Sequence, residues 1–127
     1  MGGVGCYWDG MFVGALGYAD DIILLAPCPA ALRLMLKTCE SFASSYGLKF
    51  NASKTQLIRF GLSPSNLCNA QINFCGQLLE FCNSVCHLGH YLTFDLSDDE
   101  DIVFKSHDFL KKANMLFYNL SFVCLVH

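Results

Sequence analysis

Two adjacent aspartates, Asp20 and Asp21, divide the first apolar stretch of the chain into the runs 11–18 and 22–26. Neither run approaches the roughly 18 uncharged apolar residues that a membrane-spanning helix needs, so we expect no membrane partner. Two apolar runs joined by a short polar break are typical of a tight β-hairpin. Residues 22–25 are apolar without alternation, which predicts a strand that is buried on both faces.

The composition is that of a chain that buries much of its surface. Of its 127 residues, 54% are hydrophobic and 15% are charged, and the formal net charge is −3. Disordered chains have the opposite composition, and the length suffices for one hydrophobic core. The acidic balance disfavours a free-standing nucleic-acid binder, because such proteins are usually basic. Residues 1–5 carry no positive charge ahead of an apolar segment, so we expect no secretory signal and eight free, buried cysteines.

The most regular apolar pattern predicts a helix that begins at Pro29 and ends at Gly47. Proline is tolerated at the first helical position, and glycine favours the left-handed conformation that ends many helices. The side chains of the stripe recur at helical spacing; they are Leu32, Met35, Leu36, Cys39, Phe42, Ala43 and Tyr46.

The rest of the chain predicts short strands and a second helix. Ser97 and Glu100 have the spacing of a capping box, and an apolar stripe from Ile102 to Val123 continues as a helix. The elements combine into an α+β fold: the first hairpin, one packed helix, a second small hairpin and a C-terminal helix. The predicted pieces between the helices are strands at 48–50 and 55–60 around a turn at 51–53, a loop at 61–70, a hairpin from 71–75 and 77–81, and one further strand at 86–94.

The paired carboxylates suggest metal chemistry. Carboxylate oxygens are hard ligands that suit Mg²⁺, and two such ions held close together promote nucleotidyl transfer. A plain polar turn is the alternative interpretation. The same dipeptide recurs at Asp98 and Asp99, where we expect only the start of a helix.

The run 14–27 resembles the catalytic Tyr-x-Asp-Asp segment of reverse transcriptases, specifically those of non-LTR (LINE-type) retrotransposons, with Tyr18, Ala19, Asp20 and Asp21 as the tetrapeptide. The next motif of that family is a glycine-led strand that leads to an Asn-x-x-Lys turn.

Further segments follow in the order of the family. Gly47–Thr55 resembles the Asn-x-x-Lys motif, and the sequence His87-Leu88-Gly89 resembles the hairpin called the primer grip. Residues 98–123 resemble the linker and first helix of the thumb. The resemblance implies a partial polymerase palm over 1–94, its C-terminal half, and a linker with a truncated thumb-like helix over 95–127.

The resemblance implies a role for each matching residue. Asp20 and Asp21 would ligate two Mg²⁺ ions, with Asp20 the more direct ligand. Tyr18 and Ala19 would lie beside the primer end or the incoming nucleotide. Lys54 would lie near the nucleotide phosphates as a proton donor to pyrophosphate, because an ammonium suits a developing polyphosphate charge.

His87, Leu88 and Gly89 would bring their backbone near the primer strand. An ordinary tight turn is the alternative interpretation of these three residues, and a solvated side chain is the alternative for Lys54. The implied partners are an RNA template, a DNA primer and deoxynucleotides, and the implied location is the nucleus or the cytoplasm.

The chain also departs from the family. The third aspartate, the fingers and a full thumb have no counterpart in it, so we expect a reverse-transcriptase fragment that is inactive alone. The alternative is a non-catalytic relic that binds a partner or associates with itself through exposed apolar faces. A zinc site is a third hypothesis, with Cys82, Cys86, His87 and His90 as its ligands. It is disfavoured because Cys86 and His87 are adjacent, and adjacent side chains of a strand point to opposite faces.

Overall fold

The computed structural model describes residues 4–61 and 70–119 of the chain. It has two compact units, the first from 1–57 and 67–81 and the second from 58–66 and 82–127, within the described ranges. The elements up to β8 are β1 (Tyr7–Trp8), β2 (Met11–Phe12), β3 (Ala15–Tyr18), β4 (Asp21–Leu24), α1 (Pro29–Ser45), a 3₁₀ turn (Ala52–Lys54), β5 (Leu57–Ile58), β6 (Ile72–Phe74), β7 (Gln77–Leu79) and β8 (Phe81–Cys82).

The described strands pair two by two. β1 pairs with β2, β3 with β4 and β6 with β7, each as an antiparallel hairpin with a two-residue turn, and β5 pairs with β8. The predicted hairpins at the paired aspartates and at 71–81 are therefore confirmed. Neither described helix is both long enough and apolar enough to cross a membrane.

Helix α1 begins and ends where its sequence predicts. Pro29 occupies the first helical position. Gly47 has φ +66°, and the amides of Gly47 and Leu48 donate to the carbonyls of Ser44 and Ala43. This is the Schellman arrangement, in which a left-handed glycine satisfies the last free carbonyls of a helix. Leu48 is thereby committed to the helix end, so the strand predicted at 48–50 is wrong.

The core of the first unit lies between α1 and the β6–β7 hairpin. Ile72 has no exposed surface. Two polar contacts tie the same elements together, since the Arg33 Nε donates to the carbonyl of Gln71 and the Cys75 amide donates to the Glu40 carboxylate. The buried cluster consists of Leu36, Ala52, Leu57, Ile72, Phe74 and Leu79.

The β3–β4 hairpin contacts this core at one end only. Leu24 packs against the cluster, whereas Ile22, two residues nearer the turn on the same face, is 50% exposed. The prediction that residues 22–25 are buried on both faces is therefore wrong. A small core covers only the end of the hairpin that reaches it.

The second unit contains β9 (Ser84–His87), β10 (His90–Thr93) and α2 (Asp99–Asn119). β9 and β10 form a hairpin in which His87 is opposite His90, so the single strand predicted at 86–94 is wrong. The strand predicted at 55–60 is shorter than expected, because Thr55 closes the 3₁₀ turn onto Ala52 and β5 begins only at Leu57.

Helix α2 begins two residues after the predicted cap. The Ser97 hydroxyl accepts a hydrogen bond from the Asp99 amide at 3.3 Å, and the first helical bond runs from the Ile102 amide to the Asp98 carbonyl. The predicted helix is confirmed as far as Asn119. Its continuation towards residue 127 and most of the loop at 61–70 lie outside the described residues. The α+β class is confirmed.

Candidate functional site

The turn between β3 and β4 brings Tyr18, Ala19, Asp20 and Asp21 together. Tyr18 and Asp21 are directly opposite each other in the ladder, which leaves Ala19 and Asp20 as a two-residue turn. Opposed residues of an antiparallel pair share a face. The side chains of Tyr18 and Asp21 therefore lie together, on the face opposite to the one through which Leu24 packs against the core.

All four residues of this turn are exposed, with Tyr18 at 64%. Among the residues that the structure describes, neither the Asp20 nor the Asp21 carboxylate accepts a hydrogen bond or pairs with a cation. Two adjacent negative charges without a counter-charge repel each other. A divalent cation would relieve that repulsion, and the hard oxygen donors suit such an ion.

The backbone of this turn differs from that of the other two-residue turns. In the described chain, the turns Asp9–Gly10, Cys75–Gly76 and Leu88–Gly89 have positive φ at both residues, as type I′ hairpins require. In the remaining turn only Ala19 has a positive φ, +54°. A left-handed conformation costs most residues other than glycine about 1–2 kcal/mol, and the first residue of each of the four turns has such a conformation. The turn at Asp20 therefore differs in its second residue, which is an aspartate and not a glycine with positive φ.

Lys54 lies in the same unit, in a turn that the core holds in place. Ala52 is buried in the core cluster, and Lys54 is exposed two residues later. The Ser53 hydroxyl donates to the Asn51 side chain at 2.6 Å, and the Thr55 hydroxyl donates to the Asn51 carbonyl at 3.0 Å. The Asn-x-x-Lys segment is therefore a hydrogen-bonded turn that presents its lysine to solvent.

His87, Leu88 and Gly89 lie in the second unit, at the turn of the β9–β10 hairpin. Leu88 has φ +50° and Gly89 has φ +77°. Leu88 is exposed and His87 is half-buried. Residues 87–89 therefore form the hairpin turn that the resemblance implies, and the backbone at its tip is accessible to solvent.

The cysteines differ from the prediction of burial. Cys28, Cys75 and Cys86 are exposed, so the prediction is wrong for these three. Cys39 is partly buried, and burial together with the neighbouring Glu40 raises the pKa of its thiol. None of the six described cysteines is in a disulfide.

The residues of the zinc hypothesis do not converge. His90 is opposite His87, but Cys86 is opposite Tyr91, and no group of three or more potential ligands is found within residues 4–61 and 70–119. The Nδ1 of His90 instead lies 2.7 Å from the Nζ of Lys105.

One polar cluster was not predicted from the sequence. Asp101 accepts a hydrogen bond from the Tyr91 amide at 2.9 Å and forms an ion pair with Lys105 at 3.1 Å. The Nδ1 of His90 lies 3.4 Å from the same carboxylate. The Tyr91 amide and the Lys105 ammonium lower the pKa of the Asp101 carboxyl. The spacing of Asp101 and Lys105 was readable as an i,i+4 pair, whereas the contacts with β10 depend on tertiary structure.

No family model, curated protein or solved structure matches this chain.

Proposed function

We propose that this chain contains the C-terminal half of the palm of a non-LTR-type RNA-directed DNA polymerase and the first helix of its thumb. The Tyr18–Asp21 turn would be the nucleotidyl-transfer site. The observation that carries the proposal is the pair of exposed carboxylates at the tip of this hairpin, which form no ion pair with any described residue and lie within the sequence Tyr-Ala-Asp-Asp.

The donor chemistry fits Mg²⁺, with Asp20 and Asp21 as the residues that would hold it. Bound magnesium supplies activation of a 3′-hydroxyl and stabilisation of the leaving pyrophosphate in this class of reaction. Two carboxylates are fewer than a two-metal site needs, and the described residues contain no cluster of three potential ligands. We therefore expect weak metal binding and no catalysis by the chain alone.

The proposal gives a role to each of the other matching residues. Tyr18 shares a face with Asp21 and offers an exposed ring to the sugar or base of a nucleotide. Ala19 leaves the turn narrow, and Lys54 offers an ammonium to the phosphates. The accessible backbone of His87–Gly89 would contact the primer strand, with RNA as the template.

Metal binding at the turn is tested with Mn²⁺ in place of Mg²⁺. Amide signals in an NMR spectrum broaden near a bound Mn²⁺, and we expect the broadening to centre on residues 18–22 and to increase when dTTP is added. Asp20→Asn and Asp21→Asn should each reduce it.

The chain offers a matched control in its second Asp-Asp pair. Asp99→Asn changes the same chemistry at the start of α2 and should leave the broadening at residues 18–22 unchanged. Broadening that centres on Asp98 and Asp99, or that Asp20→Asn does not reduce, would overturn the proposed site.

Catalysis is tested by primer extension on an RNA template with Mg²⁺ or Mn²⁺. We expect no incorporation by the chain alone, because its carboxylate set is incomplete within the described residues. Incorporation that Asp20→Asn abolishes would contradict the expected inactivity while supporting the site. Incorporation that survives Asp20→Asn would overturn the role of the turn.

A second candidate function is a non-catalytic interaction module. The observation that favours it is the exposure of large apolar side chains in both units, for example Trp8 at 77% and Phe109 at 70%. Exposed apolar surface of this kind marks protein interfaces when it is contiguous. Sedimentation velocity across a range of concentrations tests self-association, and a monomer at every concentration would count against it.

A further inference from the structure

Helix α2 carries an apolar stripe that the described residues leave uncovered. Ile102, Val103, Phe109 and Leu110 are each 56–70% exposed. At 3.6 residues per turn these side chains fall within about 120° of the helix circumference. An amphipathic helix normally turns such a stripe towards a core.

The stripe is not the side through which α2 packs on its own unit. That contact is made by the ring of Phe104, which lies 5.0 Å from the ring of Tyr91 in an edge-to-face arrangement. Asp101 makes the polar part of the contact, through the Tyr91 amide and Lys105. The helix therefore uses a largely polar side internally and presents its most apolar side outwards.

We propose that the stripe is covered by α2 of a second copy of this chain, with the two helices antiparallel. Small residues alternate with large ones along the stripe: Ser106 lies between Ile102 and Phe109, and Ala113 follows about one turn after Phe109. In an antiparallel pair, Phe109 is opposite Ser106 of the second copy, and Ile102 is opposite Ala113. Phe109 and Ile102 then each meet a small side chain.

The charges along α2 favour the antiparallel direction. Asp99, Glu100 and Asp101 lie in the first turn, and Lys111 and Lys112 lie about three turns later. Antiparallel pairing brings the acidic end of each helix towards the basic part of the other. Parallel pairing would bring the two acidic ends together, which is unfavourable.

The stripe is small for an interface. Four large side chains at this exposure offer on the order of 400 Å² per copy, below the about 800 Å² per partner of a stable complex. We therefore expect a weak dimer with a dissociation constant between about 10 μM and 1 mM. The α2 pairing rests on the second candidate function, self-association, and uses none of the residues assigned to nucleotidyl transfer.

The test is sedimentation velocity of the chain and its variants from about 10 μM to 1 mM. Phe109→Asp should weaken dimerisation by about tenfold or more, because it places a charge in the centre of the stripe. Phe42→Asp is the matched control, since Phe42 is an exposed phenylalanine on α1, and it should leave the dimer unchanged. Circular dichroism confirms that each variant keeps its helix content.

Ala113→Phe separates this packing from non-specific adhesion. It adds apolar surface, so it would strengthen adhesion, but it fills the space that Ile102 of the second copy needs and should weaken the proposed dimer. Strengthening by Ala113→Phe, or equal effects of Phe109→Asp and Phe42→Asp, would overturn the α2 pairing while leaving self-association intact. A monomer at every concentration would overturn both.

Discussion

Replacing Ile72 with alanine tests whether the core of the first unit is as small and as tightly packed as its geometry indicates. Ile72 has no exposed surface and packs with Leu36, Phe74 and Leu79. Three carbons are removed, so the lost transfer free energy is about 2.4 kcal/mol. The cavity adds up to about 2 kcal/mol if the neighbours do not relax. We expect the free energy of unfolding to fall by about 2.5–4 kcal/mol, a large part of the about 5–15 kcal/mol typical of a domain.

The assay is urea denaturation followed by circular dichroism at the helix wavelength. Leu78→Ala is the matched control, because Leu78 lies on the partner strand of the same hairpin but is 55% exposed. We expect that substitution to lower the free energy of unfolding by less than half as much, since less apolar surface is lost. Equal losses for the two variants would refute the argument that Ile72 is the centre of the core.

Three further predictions concern a helix cap, a turn and an ion pair. Cys28→Ser should raise the free energy of unfolding by about 0.5–2 kcal/mol, because Cys28 is the N-cap of α1 and its side chain makes no capping hydrogen bond. An unchanged urea midpoint would contradict this prediction. Cys75→Asn should raise the free energy of unfolding by about 0.5–1 kcal/mol, because Cys75 has φ +49° and precedes Gly76 with φ +77°, and Asn-Gly is the preferred pair in a type I′ turn. A lower urea midpoint would show that this turn is not of type I′. The hydrogen bond from the Tyr91 amide lowers the pKa of Asp101 in the folded chain. The ionised Asp101 carboxylate thus stabilises the fold above the unfolded pKa of about 3.9, and this stabilisation is lost as the pH falls through the folded pKa. Asp101→Asn should therefore make the free energy of unfolding decrease less as the pH is lowered. An unchanged decrease would refute the role of Asp101.

Local signals predicted the fold where they act within a few residues. Pro29 and Gly47 mark the ends of α1 through their own backbone preferences, and the hairpin at the paired aspartates follows from two apolar runs around a short break. The burial of Ile22 was predicted wrongly because a run of apolar residues does not reveal how far the core extends. The apolar pattern of 86–94 predicted one continuous strand and so missed this hairpin, whereas the resemblance of His87-Leu88-Gly89 to a family hairpin predicted its turn.

The candidate site was predictable as a turn but not in its surroundings. The sequence alone shows that Asp20 and Asp21 are adjacent, whereas only the structure shows that neither carboxylate forms an ion pair with the described residues. The contacts of Asp101 with Tyr91 and His90 were equally out of reach, because they join elements that only tertiary structure brings together.

The four described two-residue turns share one steric cost and differ in charge. The first residue of each turn has a positive φ and is not glycine: Asp9, Ala19, Cys75 and Leu88 have φ between +48° and +54°, a conformation that costs most such residues about 1–2 kcal/mol. The second residue is a glycine with positive φ in three of the turns, as type I′ hairpins prefer, and Asp20 in the fourth. That fourth turn carries two adjacent carboxylates, whose mutual repulsion does not help the hairpin to fold. Under the proposed function a bound cation would offset this repulsion, so charge rather than backbone strain is the physical reason to single out the turn at Asp20.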